Sequence, residues 1–543
     1  MDMTTSPATA RRSQPLTLAA VVEARAKTVA DRPAVVIDGH EVTYGALRNR
    51  AEGRARQMLA VGVRPGDRVG VLLPNCHEYL EIVLGAALIG AICVPMNMRY
   101  KSRELRHLII DSGMSMLYTR QAVEGVVDFA SLLSEALPGL GQARNRYQLA
   151  PADAPDLKVV VALDEANAFM LLDKNLSPYA DALPLQPAPE QPLLIMYTSG
   201  TTSNPKGCIV PNRAILSNAW AITESFNLGA DDVWWCPLPM FHIGGLLFVI
   251  TMLAAGGLYS GVGHFDPGKA VEAIERTPPT VFYPLFPTIT LPIIDHPRFA
   301  RLDHSRMRFM CNLAPESMQR RIQALVPHAP IIGAFGMTET CGTVCYGSPD
   351  DPGDKRYSTC GRPLPGWSLK IVDPNTHEPL ACGDRGEVAV RGVGLFDGYF
   401  NQPELSRHLP DGYFLTGDIG SVDADGRLSF HGRFKDQLKV GGENVAALEV
   451  ESLLMTHPAV ALAQVVGVSD EKYGEVVAAF IELKEGAAAS EREIIDFCTN
   501  KIARFKIPRY VRFRTEWPMS ATKIVKYRLR DALASELFGS RAE

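Results

Sequence analysis

The sequence has ten cysteines among its 543 residues but no Cys-x-x-Cys pair. Such pairs are typical of zinc sites and redox motifs, and Cys341 and Cys345 have no Cys or His partners nearby in the sequence to complete a metal-binding set. A long block of basic residues is also missing, and 55 Lys and Arg against 60 Asp and Glu give a net charge of -5. Nucleic acid is therefore a poor candidate partner, and reduced thiols in a cytoplasm are expected.

Two stretches, 82–98 and 243–263, lack charged residues, and the second is about long enough to cross a bilayer. The second contains six glycines, however, and Pro95 interrupts the first. Each stretch therefore predicts a buried helix that runs into a buried strand, and no membrane span is expected. The Arg11-Arg12 pair is followed by only a short apolar stretch, so the start of the chain is interpreted as a flexible tail.

The length exceeds what one hydrophobic core usually supports, so at least two domains are expected. An amphipathic helix over 44–61, a strand over 68–73 and a helix over 79–90 alternate, which predicts a layered α/β fold. After His431 the sequence changes to charged, compact elements. We therefore predict a large N-terminal α/β domain over 1–434 and a small second domain over 435–543.

The segment 197–207, Tyr-Thr-Ser-Gly-Thr-Thr-Ser-Asn-Pro-Lys-Gly, follows an apolar strand predicted at 193–196. Its glycines allow backbone amides to turn towards an anion, five Ser and Thr hydroxyls add donors, and Lys206 adds a positive charge. A solvated turn has a similar composition, but the whole pattern favours a nucleotide triphosphate. The spacing of a Walker A loop is absent, which disfavours P-loop kinases and ATPases.

A second polar segment, Phe335 to Glu339, follows an apolar strand predicted at 330–334. Ligand sites of α/β sheets lie at the carboxyl ends of strands, and Thr338 beside Glu339 is suited to phosphate-bound Mg²⁺. The same pair is also typical of a helix start. Asp418, at the end of Tyr-Phe-Leu-Thr-Gly-Asp, can bind ribose hydroxyls or can be a simple turn residue.

Two further segments lie near the carboxyl end. In the first, Arg433 and Lys435 precede Lys439, Gly441 and Gly442, and the glycines permit a movable loop before an apolar helical face. In the second, Lys523 follows a loop that contains Ser and Thr. A lysine in such a place is usually a surface residue without a specific function.

Taken in order, these segments resemble the adenylate-forming superfamily of acyl-CoA synthetases, amino-acid adenylation domains and beetle luciferases, over about residues 20 to 530. The phosphate loop is matched by 198–207, the aromatic-Gly-x-Thr-Glu block by 335–339, and the ribose and hinge blocks by 416–418 and 432–436. The remaining matches are Gly386, Glu387, Gly398, Tyr399 and Asn401 in one block, and Gly441 to Val445 with Glu449 in another.

This resemblance implies a two-step reaction with ATP, Mg²⁺ and CoA, in which a carboxylic acid forms acyl-AMP and a thiol then displaces AMP. It implies catalytic roles for Thr198, Lys206, Glu339 and Lys523, with Glu339 as the metal ligand. The implied nucleotide contacts are Thr198, Ser199, Gly200, Thr201, Thr202, Lys206, Ala314, Pro315, Phe335, Gly336, Met337, Thr338, Asp418 and Arg433. The resemblance also implies an N-terminal domain of several subdomains and a small mobile α+β C-terminal domain. Lys435 would be the hinge between them, and the CoA-side loop would contain Lys439, Gly441, Gly442 and Glu443.

The sequence departs from the family pattern in three places. Ser203 stands where the phosphate loop usually has glycine, and residues 312–315 replace a glycine-rich start of the adenine-side block. In the terminal block Thr522 precedes Lys523, and the spacing from Pro518 is one residue short. Lys523 is our assignment for the adenylation lysine, with Lys526 as the second choice.

The resemblance also implies where the acid binds, in a mostly apolar pocket formed by Phe241, His242, Ile243, Gly244, Gly333 and Ala334. His242 stands where adenylation domains for α-amino acids usually have Asp, so a fatty, aryl or carnitine-like acid is expected. Two alternatives stay open: an enzyme that loads a carrier-protein pantetheine in trans, and a non-catalytic nucleotide-binding protein. A homodimer is possible.

Overall fold

A computed structural model describes residues 14–142, 145–176, 187–198, 205–440, 443–499, 501–520 and 523–539. The helices in this part of the chain are α1 (Leu18–Thr28), α2 (Tyr44–Ala60), α3 (His77–Leu88), α4 (Ser102–Ser112), α5 (Phe129–Ala136), α6 (Asn212–Ser225), α7 (Ile243–Ala255), α8 (Pro267–Arg276), α9 (Pro287–Ile294), α10 (Glu316–Leu325), α11 (Gly353–Ser358), α12 (Ala447–Leu454), α13 (Glu491–Cys498) and α14 (Lys526–Phe538).

The strands up to residue 337 are β1 (Pro33–Ile37), β2 (His40–Thr43), β3 (Arg68–Leu72), β4 (Ile92–Pro95), β5 (Met116–Thr119), β6 (Ala122–Val123), β7 (Val127–Asp128), β8 (Val159–Ala162), β9 (Met170–Leu172), β10 (Pro192–Thr198), β11 (Lys206–Pro211), β12 (Val233–Trp235), β13 (Leu258–Gly261), β14 (Val281–Leu285), β15 (Phe309–Asn312), β16 (Ile331–Ile332) and β17 (Ala334–Met337). Those that follow are β18 (Gly342–Tyr346), β19 (Arg362–Pro363), β20 (Trp367–Val372), β21 (Gly386–Gly392), β22 (Phe414–Val422), β23 (Leu428–Arg433), β24 (Gln437–Val440), β25 (Glu443–Ala446), β26 (Val460–Asp470), β27 (Gly474–Leu483), β28 (Tyr510–Phe513), β29 (Met519–Ser520) and β30 (Lys523–Ile524).

Two seven-stranded sheets form the larger part of the molecule. One has the order β16-β15-β14-β12-β13-β1-β2 and the other the order β11-β10-β4-β3-β5-β8-β9. Each is parallel except for one edge strand, β2 in the first and β11 in the second. In parallel sheets the carboxyl ends of the strands lie along one edge, where ligand-binding loops gather.

Helices α2, α3, α6 and α7 contribute to one hydrophobic core that also contains buried residues of both sheets. This layering confirms the predicted α/β fold. The two uncharged stretches form α3 followed by β4, and α7 followed by β13, as predicted. No helix in the described ranges is long and apolar enough to cross a membrane.

Two smaller antiparallel sheets follow in the chain, β17-β18-β19 and β20-β21-β22-β23. From Gln437 onwards the strands form a separate five-stranded sheet, β25-β24-β27-β26 with β28 beside β27. This sheet has its own hydrophobic core with α12 and α13. It begins directly after the 3₁₀ turn Phe434–Asp436, which contains the predicted hinge residue, Lys435.

The single strand predicted at 330–334 is wrong. The structure has β16 in the large parallel sheet and β17 in a different, antiparallel sheet, with Gly333 between them. A Cβ atom on Gly333 would lie 2.6 Å from the carbonyl oxygen of Thr359, so the backbone passes close to a neighbouring segment at this point. Thr338 and Glu339 therefore follow an antiparallel strand.

Candidate active site

The predicted phosphate loop connects two antiparallel strands. Strands β10 and β11 pair so that Thr198 lies opposite Lys206. Lys206 is the first residue of β11, which fixes its position beside Thr198. Four predicted nucleotide contacts, Ser199 to Thr202, lie outside the described residues.

A second segment, 398–400, binds along β11 through backbone hydrogen bonds. The amide of Ile209 donates to the carbonyl of Gly398 at 3.0 Å, and the amide of Phe400 donates to the carbonyl of Gly207 at 2.7 Å. Tyr399 is thereby held next to the phosphate hairpin, and the ammonium of Lys206 lies 5.6 Å from the centroid of its ring.

Tyr399 also connects Lys206 to the predicted metal ligand. Its hydroxyl donates a hydrogen bond of 2.7 Å to Oε1 of Glu339, which is 8% exposed. Burial and the charge of Glu339 raise the pKa of Tyr399 far above its usual range, so the hydroxyl stays protonated and remains a donor. The carboxylate, the ring and the ammonium therefore form one connected group.

This group fits a phosphate-bound Mg²⁺. In the described ranges no three His, Cys, Asp or Glu side chains come together as a metal site. Proteins commonly bind Mg²⁺ through one or two carboxylates together with substrate phosphates, and a complete protein cage is unusual. Glu339 supplies such a carboxylate, with Oε1 oriented by the Tyr399 hydroxyl and the Thr338 hydroxyl next to it in the chain.

The predicted nucleotide residues come from several elements that meet. Phe335, in β17, is buried, and its ring centroid lies 6.2 Å from that of Phe430 in β23. Gly336 is exposed, and a Cβ atom there would lie 2.1 Å from the carbonyl oxygen of Gly342. Any larger residue at position 336 would therefore collide with the backbone of the neighbouring strand, β18. Ala314 and Pro315 follow the carboxyl end of β15 and are partly exposed.

Asp418 and Arg433, the predicted ribose contacts, lie opposite each other in the antiparallel pair β22 and β23. Nε of Arg433 is 3.1 Å from Oδ1 of Asp418, whose side chain is only 4% exposed, whereas that of Arg433 is 38% exposed. The amide of Asp418 donates to Oγ1 of Thr416 at 3.1 Å. The backbone of Asp418 is thus held by its own strand, and its carboxylate is held by Arg433 of the neighbouring strand.

The predicted acid pocket lies at the start of α7. His242 immediately precedes the helix, and the centroid of its ring is 4.8 Å from that of buried Phe241. A Cβ atom on Gly244 would meet only the Cδ1 atom of Leu238, at 3.6 Å, so there is open space at this position. Ala334 is 7% exposed and follows Gly333 into β17.

The imidazole of His242 is uncharged at neutral pH. Burial, together with the positive charges of Lys523 and Arg99, lowers the pKa of His242 to about 3. An uncharged side chain therefore stands at the position where the resemblance would place an acidic residue in an amino-acid adenylation domain. The effect of Lys523 also indicates that this lysine, from the C-terminal part of the chain, lies near His242.

The two candidate lysines of the terminal block have different surroundings. Lys523 is exposed in β30 and its charge reaches His242. Nζ of Lys526 instead lies 2.7 Å from Oε1 of Glu451, whose side chain is 5% exposed. Lys526 is thus held by a buried carboxylate, and Lys523 remains the predicted adenylation lysine.

The CoA-side loop is described only in part. Lys439, in β24, is exposed, and its amide donates to Oε2 of Glu475 at 2.9 Å. Glu443 is exposed at the start of β25, while Gly441 and Gly442 lie outside the described residues.

Two residues of the site had no role in the sequence-based prediction. Tyr399 appeared there only as part of a matching block, and its contact with Glu339 depends on chain segments that are 60 residues apart. Asn75, which is 6% exposed, donates to the carbonyls of Leu238 and Val262 at 3.0 and 3.1 Å and accepts from the amide of Met240 at 2.8 Å. It fixes the segment that leads into Phe241 and His242, and no local sequence signal indicates this.

The chain is similar to known proteins over most of its length. The chain matches the AMP-binding enzyme family over residues 22–400 and the C-terminal domain of AMP-binding enzymes over residues 449–523. It is 32% identical to the putative acyl-CoA synthetase YngI of Bacillus subtilis, over 95% of this chain and 96% of that protein. It is 29% identical to the mitochondrial medium-chain acyl-CoA ligase ACSF2 of Rattus norvegicus, over 96% of this chain and 88% of that protein.

A solved structure shows the same fold. The crystal structure of the anthranilate CoA ligase AuaEII in complex with anthranoyl-AMP superposes with a TM-score of 0.83 at 27% identity, covering 96% of this chain and 99% of that one. The chain therefore belongs to the AMP-binding enzyme family, the adenylate-forming superfamily, in its branch of AMP-forming acid-CoA ligases.

Proposed function

We propose that this enzyme converts an organic acid of the fatty, aryl or carnitine-like class, without an α-ammonium group, into its CoA thioester through an acyl-AMP intermediate. The observation that carries the substrate class is the acid pocket, where the pKa of His242 is lowered to about 3 beside the buried ring of Phe241. An ammonium group of an α-amino acid would find no carboxylate among these residues. Fatty, aryl and carnitine-like acids are the classes to test.

In the first step the carboxylate of the acid attacks the α-phosphorus of ATP and pyrophosphate leaves. Negative charge on the phosphates is redistributed during this in-line displacement, so fixed positive groups and hydrogen-bond donors lower the barrier. Lys206 and Thr198 would act from the phosphate hairpin and Lys523 from the C-terminal domain. Mg²⁺, when bound with ATP near Glu339, would neutralise part of the phosphate charge.

In the second step the CoA thiol attacks the acyl carbon and AMP leaves, so no protein nucleophile is required in either step. We propose that the boundary between the domains lies at Lys435 and that the small domain rotates there between the steps. Rotation would remove Lys523 and bring the loop with Lys439 to the site. A polar junction of this kind permits weak docking in both arrangements.

Acid-dependent pyrophosphate release with MgATP, with and without CoA, tests this proposal. The acids are acetate, octanoate, benzoate, indole-3-acetate, γ-butyrobetaine and glycine. Steady turnover that needs CoA and one of the acids other than glycine would support the proposal, and turnover with glycine alone would contradict the substrate class. Pyrophosphate exchange without CoA-driven turnover would favour an enzyme that loads a carrier protein.

The role of Lys523 has a separate test. Replacing it with Ala should lower the rate of acyl-AMP formation by roughly a hundredfold to a thousandfold, the usual effect of deleting one donor to a transition state. Adenylation at a nearly normal rate would show that another group neutralises the phosphates.

A cytoplasmic location, where ATP and CoA are available, is also part of the proposal.

A further inference from the structure

Lys526 and Glu451 form an ion pair that the proposed reaction does not use. Their Nζ and Oε1 atoms are 2.7 Å apart, and the Glu451 side chain is 5% exposed. The amide of Val465, in β26, donates to the same Oε1 at 2.7 Å. Glu451 thus connects α12, which contains it, to the sheet of the C-terminal domain and to the first residue of α14.

The hairpin that carries Lys523 ends at this ion pair. Strands β29 and β30 have two residues each, with Ser520 opposite Lys523, and the amide of Val525 donates to the carbonyl of Pro518 at 2.7 Å. A ladder of this size has little stability of its own. Its direction therefore depends on how its ends are fixed, and Lys526 fixes the end that lies three residues after Lys523.

The surroundings of the pair show where this anchor lies. Glu451 and Lys526 line a cavity of about 120 Å³ whose other walls include His431 and Arg433, at the end of β23. Buried Leu529 and Leu533 of α14 pack against the sheet of the C-terminal domain. The hairpin is thus anchored next to the strand that holds the predicted ribose contact.

We infer that Lys526 is a positioning residue, which together with Glu451 directs Lys523 towards the acid pocket for the adenylation step. This inference rests on the proposed role of Lys523. Both members of the pair belong to the C-terminal domain, so the pair moves with that domain as one body. Only the adenylation step uses Lys523, and loss of the pair should therefore affect that step selectively.

The test measures the two half-reactions separately, with the acid of the panel that has the highest kcat/KM. Single-turnover pyrophosphate release with MgATP reports adenylation, and thioester formation from the synthetic acyl-AMP and CoA reports the second step. Lys526→Met should slow adenylation on the order of 10- to 100-fold, the scale of misplacing a reacting group by about 1 Å. Thioester formation should stay within about twofold of the unaltered enzyme.

Three further variants separate positioning from general stability. Lys526→Arg keeps the charge and should restore most of the adenylation rate. The double variant Lys526→Met/Glu451→Gln leaves no unpaired buried charge, so it should fold as well as the unaltered enzyme and still show the selective loss. Lys506→Met, which removes the ion pair of Lys506 with Glu449 at 2.7 Å in the same domain, should change neither half-reaction.

The outcomes distinguish this inference from the proposed function. If Lys523→Ala keeps a normal adenylation rate, the proposed role of Lys523 fails. If Lys523→Ala loses adenylation but the double variant does not, the positioning role of Lys526 is wrong. Equal losses in both half-reactions for the double variant would also overturn it, because they would indicate a general effect on folding.

Discussion

Replacing Tyr399 with Phe removes a single hydroxyl from the centre of the candidate site. That hydroxyl donates to Oε1 of Glu339 at 2.7 Å, while the ring, whose centroid lies 5.6 Å from the ammonium of Lys206, is retained. The variant therefore separates the hydrogen bond to the carboxylate from the contact between ring and ammonium. We expect Glu339 to lose its fixed orientation and the Mg²⁺ that we propose it binds to bind less well.

The size of the effect follows from the charge and burial of the acceptor. A hydrogen bond to a charged group contributes about 1.5–3 kcal/mol, and Glu339 is 8% exposed, so water replaces the lost donor poorly. If this energy is used to place the metal and the nucleotide, kcat/KM for MgATP should fall roughly 10-fold to 100-fold, since about 1.4 kcal/mol corresponds to a factor of ten.

Pyrophosphate release measured against MgATP, and separately against free Mg²⁺ at a fixed ATP concentration, gives both quantities needed. The Mg²⁺ concentration for half-maximal rate should rise in Tyr399→Phe. Tyr44→Phe is the matched control, because it removes a buried hydroxyl that donates to the carbonyls of Met252 and Gly257 at 3.0 and 2.7 Å. It should lower the free energy of unfolding without changing the Mg²⁺ dependence.

An unchanged Mg²⁺ dependence and an unchanged kcat/KM for MgATP in Tyr399→Phe would refute this reasoning. The hydrogen bond would then be a feature of packing, and Glu339 would be oriented by other groups or would not bind the metal. A fall in kcat/KM that is matched by Tyr44→Phe would have the same meaning, because it would reflect stability alone.

Three other variants give separate predictions. Lys435→Pro should slow thioester formation more than adenylation, and equal losses in both half-reactions would contradict a hinge at this position. Asn75→Ala removes three buried hydrogen bonds, so the free energy of unfolding in urea should fall by roughly 2–4 kcal/mol and KM should rise more for the acid than for ATP. Because the folded chain holds the pKa of His242 at about 3, below its ordinary 6.5, the unfolded chain binds the extra proton, and stability should fall as pH decreases from about 6.5 towards 3. His242→Asn should reduce that slope, by up to about 1.4 kcal/mol per pH unit.

Much of the fold could be predicted because its signals are local. The two uncharged stretches are buried helix-strand pairs, and glycines 256 and 257 mark the point where α7 ends and β13 follows. The break at Gly333 could not be predicted, because it depends on the carbonyl of Thr359, 26 residues further along the chain. An apolar run such as 330–334 predicts a strand but does not show in which sheet each residue lies.

The candidate site shows the same division. Asp418 and Arg433 were predicted as ribose contacts from two separate motifs. The structure places them opposite each other in neighbouring strands. The hydrogen bonds of Asn75 connect the two large sheets. They join residues that are far apart in the sequence, so no local sequence pattern predicts them. Residues that contact substrates lie in recognisable motifs, whereas residues that orient them depend on tertiary contacts.

The shortened terminal block leaves two lysines as candidates, and the burial of the Lys526 ion pair is the argument against Lys526. For Lys526 to reach a phosphate it would have to leave Glu451, whose carboxylate is 5% exposed. Breaking a buried pair of this kind costs about 3–5 kcal/mol, because the remaining charge is left uncompensated. Lys523 is exposed, and its charge already acts on His242. The missing residue falls before Lys523, so the three-residue spacing from Lys523 to the anchored Lys526 is kept, and with it the direction in which Lys523 is presented.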